Sequence, residues 1–320
     1  VAARTSDTAH PGTIADWCGH HLGSRPVHSF ITEAPASQLW GFELADGRVV
    51  AVKVRPASAR LDACTRAHRR AHAAGIDAPL VLAGPAPFGD DGELAVIAET
   101  WRPDGAVWPE RDPAESYGRL LASIVAALEG CDPAPLAPPP PHLRYDHDAA
   151  GRLWPPSDIP HRDPESALRD LPAHLVHSAR LARERLLAAT LPTAIGHGDL
   201  SGVHVRWLDG FNGLPLAVVH GWEELAARPE AVLAGCLVAT FTELPDQLRL
   251  ASVADGERVL AAYQMDRGRA FSAEEREVAW AASIWVGCYQ AAMEHVAGAA
   301  GQVTHQLTID AGARLRLAGC

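Results

Sequence analysis

The sequence predicts an α+β protein of two lobes, a small sheet lobe over residues 1–101 followed by a larger helical lobe over 102–320. Three observations lead there. Up to Trp101 the chain carries short alternating apolar runs separated by tight turns, the period of half-buried strands. Beyond Trp101 the apolar residues recur three and four apart over long segments, the period of amphipathic helices. At 320 residues, 48% of them hydrophobic, the chain is long for one core and short for three.

In the first lobe, residues 13–22 are predicted as a short helix with Trp17 on its apolar face. Segments 27–34, 39–44 and 49–55 read as three strands of a meander, the last two joined through Ala45-Asp46-Gly47. A helix over 61–74 is closed by Gly75 and Pro79. Strands at 80–83 and 94–99 flank the polar hairpin Phe88-Gly89-Asp90-Asp91-Gly92-Glu93, completing a five-stranded sheet with one helix beside it.

The second lobe opens with a helix over 113–130, on which Leu120, Leu121, Ile124, Val125 and Leu128 share a face. Six prolines in the nine residues 133–141 make a stiff connector. A helix over 163–189 is predicted to break at Pro172. Short strands at 203–207 and 216–220 bracket the turn Asp209-Gly210-Phe211-Asn212-Gly213, and helices follow at 229–244, 255–265, 272–297 and 300–307. Ser272-Ala273-Glu274-Glu275 is a helix start with acids in its first turn. Trp222, Trp280 and Trp285 read as core aromatics.

Composition narrows the function. A formal charge of −11 argues against a nucleic-acid partner and suits a small, cationic one. Residues 1–11 lack a basic and an apolar stretch, and no run approaches the length of a membrane span, so a cytoplasmic protein without membrane attachment is expected. The six cysteines are scattered without a C-x-x-C pair, so neither a disulfide framework nor a zinc site is predicted.

Two positions carry chemistry. Lys53, in Val49-Val50-Ala51-Val52-Lys53-Val54-Arg55, is the single lysine among twenty-eight basic residues. An ammonium binds phosphate as a compact point charge, which a guanidinium fork does not replace. Alternation puts Val50, Val52 and Val54 on one face and Lys53 on the other. Far downstream stands Ile195-Gly196-His197-Gly198-Asp199-Leu200, where two glycines permit unusual backbone angles and Asp199 could orient and deprotonate an alcohol.

Together they look like the strand lysine and catalytic loop of the kinase-like fold. His197-Gly198-Asp199-Leu200-Ser201-Gly202-Val203-His204-Val205-Arg206-Trp207 resembles the catalytic loop of the aminoglycoside phosphotransferase family, H-G-D-x-x-x-x-N before an apolar strand. Val218-Val219-His220-Gly221-Trp222-Glu223 resembles that family's metal-binding strand end, and Glu99-Thr100-Trp101 falls where its interlobe hinge would lie. The resemblance covers nearly the whole chain and implies a two-lobed protein-kinase-like fold, ATP and Mg²⁺ as cofactors, and a small-molecule hydroxyl as acceptor. Under it Asp199 is the base with His197 beside it. Lys53 anchors phosphate with Asp62 as its helix acid, Glu99 and Trp101 line the nucleotide site, and His204 and Glu223 form the metal shell.

The chain departs from the family pattern at two of these places. Position 204 is histidine where the family usually has asparagine, a swap that macrolide phosphotransferases share, and position 221 is glycine where the second metal-binding aspartate stands. His204 and His220 could instead hold a softer metal. Restoring aspartate at 221 is expected to add one hard oxygen ligand for Mg²⁺. Three functions stay open on the sequence. One is an ATP-dependent phosphotransferase acting on an antibiotic-like molecule or metabolite. The second is a pseudokinase-like protein that binds a small molecule or nucleotide. The third is the same fold turned to another biosynthetic reaction.

Overall fold

A computed structural model describes residues 11–33, 38–89, 91–109, 112–157, 162–210, 216–299 and 301–320. The expected loop at 34–37 and turn tip at 211–213 lie outside the described residues. The chain forms two compact units, 1–73 with 78–103 and 74–77 with 104–320.

The first unit is an antiparallel sheet in the order β1 (Pro26–Glu33), β2 (Gln38–Leu44), β3 (Val49–Pro56), β5 (Leu94–Thr100), β4 (Val81–Phe88). Central β3 separates two apolar layers. Val50, Val52 and Val54 enter a core with Trp40, Phe42 and Leu44 of β2 and with Ile14, Trp17 and Cys18 of α1 (Pro11–Leu22). On the opposite face Leu61 of α2 (Ala59–Ala73) packs with Ala95 and Ile97. Lys53 lies opposite Ile97 in the β3–β5 register and so belongs to the α2 face. β4 runs on to Phe88, where the sequence suggests an end at Ala83. It is an edge strand, so Pro85 and Pro87, which lack amide donors, break no inner ladder, and pairing resumes after two register shifts.

The second unit is helical. In α3 (Pro113–Ala127) the Asp112 side chain accepts from the Glu115 amide, with proline in the first turn. The proline-rich connector folds into two 3-10 turns, Ala134–Leu136 and Pro141–Leu143. Pro172 divides the next segment into a 3-10 turn, Pro164–Ala167, and α4 (Ala173–Ala188). The helices α5 (Glu230–Thr240), α6 (Val253–Asp266), α7 (Ala273–Val296) and α8 (Gln302–Leu317) follow. α5 is buried nearly all round, and α7 starts with a capping box between Ser272 and Glu275. Trp222, Trp280 and Trp285 are buried, as the sequence suggests.

α8 continues to Leu317, where the sequence pattern fades at 307. Its second half reads as polar, yet Asp310 and Arg314, one turn apart, form a buried ion pair, and Arg314 also donates to the Ala251 carbonyl. Four short strands complete the unit: β6 (Thr193–His197) pairs with β9 (Leu225–Pro229), and β7 (Val205–Leu208) with β8 (Leu216–Val219). Pro229 ends a strand and is also the N-cap of α5, which stops at Thr240, short of the expected 244. Among the described residues no helix is long and apolar enough to cross a membrane.

Candidate functional site

In the helical unit, β6 ends at His197, and in the loop that follows the Gly198 amide donates to the Glu224 carbonyl. Neither Gly196 nor Gly198 has a positive φ, so both serve by their lack of a side chain. A Cβ on Gly196 would stand 2.9 Å from Leu233 Cδ1, and one on Gly198 would stand 2.8 Å from the Glu224 carbonyl. The loop needs glycines for close packing; the sequence alone suggests backbone angle instead.

His197 is buried, and its two ring nitrogens are assigned by their partners. The Asp199 amide donates to Nδ1 at 3.1 Å, so the proton sits on Nε2, which donates to the His220 carbonyl at 2.9 Å. Burial, with the charge of His204 alongside, pushes His197 down to about 4 and keeps it neutral. The ring orients the Asp199 backbone and contributes no charge. His142 donates to the Gly198 carbonyl at 2.9 Å and Cys236 reaches the same oxygen, so the loop is held from three sides.

Asp199 and His204 form the charged centre, with Oδ2 and Nε2 3.3 Å apart. Burial works against the charge on His204, but Asp199, with Glu224 and Glu223 beyond, pushes the imidazole up to about 9. Burial likewise opposes ionisation of Asp199. The imidazolium outweighs it and holds that carboxyl well below the usual carboxylate range. The other carboxylate oxygen, Oδ1, is buried and has no hydrogen-bond partner among the described residues. Two carboxyls that the sequence did not single out sit within electrostatic reach. Burial raises Glu224, and burial together with Asp199 pushes Glu243 up to about 8, with its side chain accepting from Gln290 at 2.9 Å. No sequence pattern marks Glu224, Glu243 or His142, because each comes from a different segment.

Gly221 explains the odd residue at 204. It holds φ 65° and ψ 36°, the left-handed conformation that favours glycine, and opens the 3-10 turn Trp222–Glu224. A Cβ there would stand 2.4 Å from His204 Nδ1 and 2.8 Å from Cγ and Cε1. The His204 ring thus fills the space that a side chain at 221 would need.

The residues at these positions offer few hard oxygen donors of the kind Mg²⁺ prefers. His204 places Nε2 3.3 Å from Asp199, and Gly221 offers no ligand. Glu223 is half-buried on the 3-10 turn. Among the described residues no three His, Cys, Asp or Glu side chains are placed to hold a metal ion.

In the sheet unit, Lys53 Nζ lies 2.9 Å from Glu99 Oε2, both side chains nearly buried. Asp62, expected as the partner of Lys53, is exposed on α2. His68, from the buried face of α2, places Nδ1 3.7 Å from Glu99 Oε1. Trp101 is half-buried, donates its amide to the Val49 carbonyl, and meets the Phe30 ring edge-on at 5.2 Å.

Solved structures share this architecture at low identity. An amicoumacin kinase, hAmiN, in complex with AMP-PNP, Ca²⁺ and Ami has a TM-score of 0.59 at 8% identity, over 91% of this chain and 89% of its own. A spectinomycin phosphotransferase with ADP and spectinomycin gives 0.55 at 9%, over 97% and 94%. An aminoglycoside phosphotransferase from Alicyclobacillus acidocaldarius gives 0.55 at 13%, over 99% and 97%. No protein of curated function matches the sequence. The model of the phosphotransferase enzyme family matches residues 37–219, a span that holds both Lys53 and the Asp199 loop. With that span covering more than half of its length, the chain belongs to the phosphotransferase enzyme family.

Proposed function

We propose that this chain is a small-molecule-binding member of its family in which Mg²⁺-dependent phosphoryl transfer has been lost. The observation that carries the reading is the His204 ring lying where a residue-221 Cβ would stand. A divalent ion is the largest local charge in such a site, and its removal takes away the main stabilisation of the transferring group. Here an imidazolium inside the protein answers the charge of Asp199.

The ligand pocket fits a cavity of about 890 Å³ in the helical unit, bordered by Trp108, Thr242, Asp255, His305 and Gln306. An aromatic wall with hydroxyl, amide and carboxylate groups suits a polar, hydroxylated amine. A net charge of −11 favours a cation, and structural neighbours include proteins named for aminoglycosides and spectinomycin. In the sheet unit Lys53, paired with Glu99, would be the anchor for nucleotide phosphate.

A transferase reading keeps one observation in its favour. Asp199 Oδ1 is buried and accepts no hydrogen bond among the described residues, which leaves a lone pair for an acceptor hydroxyl. Calorimetric titration with ATP, with and without Mg²⁺, beside an assay of ADP release with aminoglycosides, separates the two. Metal-independent binding without turnover supports the binding protein. Binding that tightens with Mg²⁺ and steady ADP release would overturn it.

A further inference from the structure

We infer that Glu99, braced by His68, is the residue that positions Lys53, in place of an acid on α2. The inference rests on Lys53 being the phosphate anchor, and the experiment below tests the two separately.

The register of the sheet makes the arrangement. β3 and β5 pair Lys53 with Ile97 and Ala51 with Glu99, so Glu99 and Lys53 are diagonal neighbours on one face. A glutamate and a lysine at that offset meet end to end, and Nζ and Oε2 stand 2.9 Å apart with exposures of 12% and 6%. So little water reaches the pair that its attraction is only weakly screened. The second carboxylate oxygen faces His68 Nδ1 at 3.7 Å. His68 is 1% exposed and lies on the same face of α2 as Leu61, Cys64, Thr65 and Ala71. Its ring is thereby fixed by packing.

Asp62 has no part in this. It sits in the first turn of α2, exposed, and nearly two turns before His68. Two consequences follow. The ammonium is held by a strand of its own sheet, and His68 of α2 reaches the same carboxylate. And Glu99 directly precedes Thr100 and Trp101, so the end of β5 and the lysine move as one body.

Lys53 is the sole lysine of the chain, which gives the proposal a clean probe. Protein labelled with ε-¹⁵N-lysine carries one side-chain ammonium signal. In the parent that signal is expected to persist at neutral pH, because the buried pair slows exchange with water. Glu99→Gln, close to isosteric, should erase or shift it, and Glu99→Asp should retain it with a smaller displacement. His68→Gln should move it in the same direction as Glu99→Gln, and Asp62→Asn should leave it in place. Thermal melts of each variant establish that it is folded.

An unchanged signal in folded Glu99→Gln, or its loss in Asp62→Asn, overturns the proposal. An unchanged signal in His68→Gln overturns the bracing by His68. Adding ATP to the parent addresses the anchor reading by itself, since a phosphate at Lys53 must displace the signal. No displacement at saturating ATP removes the anchor reading and leaves the positioning result intact. Where ATP does bind, Glu99→Gln should weaken it about tenfold, the scale of one charge-assisted hydrogen bond.

Discussion

Placing aspartate at 221 tests the interlock most directly, because the structure predicts that the repair fails alone and succeeds in company. In Gly221→Asp the new Cβ would lie 2.4 Å from His204 Nδ1, so ring or backbone must move. Over-packing of that kind costs roughly 1–3 kcal/mol, and a side chain at φ 65° costs about 1–2 kcal/mol more. The single variant should lose roughly 2–5 kcal/mol, read as a lower urea midpoint at unchanged slope. In His204→Asn/Gly221→Asp the ring clash is gone, and what remains is the backbone cost of about 1–2 kcal/mol together with the loss of the ion pair between His204 and Asp199. Adding His204→Asn to Gly221→Asp should therefore cost less than His204→Asn costs in the parent, and the double variant alone should show ATP affinity that rises with Mg²⁺. Equal urea midpoints for Gly221→Asp and the parent, with Mg²⁺-dependent ATP binding already in the single variant, would refute the interlock.

Stability should fall as pH rises from about 6.5 to about 9. His204 has a folded value near 9 against an ordinary 6.5, so its contribution is complete below 6.5 and is lost through 9. Glu243, raised from 4.5 to about 8 by burial, is protonated in the fold and ionised when unfolded over that interval, which adds to the same slope up to pH 8. Each such proton is worth on the order of 1.4 kcal/mol per pH unit, and urea midpoints across the range should flatten in His204→Asn. Asp199→Asn should keep the fold and drop the His204 titration below its ordinary value, since burial then acts without the carboxylate; an imidazole still titrating near 9 by NMR would contradict the pairing. Asp310→Asn strands the buried Arg314 guanidinium and should cost about 3–5 kcal/mol by chemical denaturation, whereas a loss below 1 kcal/mol would mean that the pair carries little.

The sheet unit was legible because each of its strands is a local pattern. Three valines alternate with Ala51, Lys53 and Arg55, and the structure sends the valines to the α1 core and the lysine to the other face. The helical unit was legible where burial is apolar, as on α3. It was not where burial is ionic: Asp310 and Arg314 look like solvent residues until the contact with Ala251 is seen. The pairing of β6 with β9 escaped notice for another reason, since two five-residue strands some thirty positions apart announce nothing about each other. At the site, motif spacing named Asp199, His197 and His204, which the structure brings together. It put Asp62 beside Lys53 because helix position is read from sequence, whereas the actual partner is set by strand register.

The contact between His204 and Gly221 also makes the two positions answer to one another. With the ring placed as it is, a side chain at 221 would claim its volume, so a chain carrying both must seat the imidazole elsewhere. A substitution at 221 therefore acts twice, once through the group it brings and once by turning the imidazolium away from the Asp199 carboxylate it now meets at 3.3 Å. The glycine, which has no functional group of its own, thereby sets where the cation of this site stands.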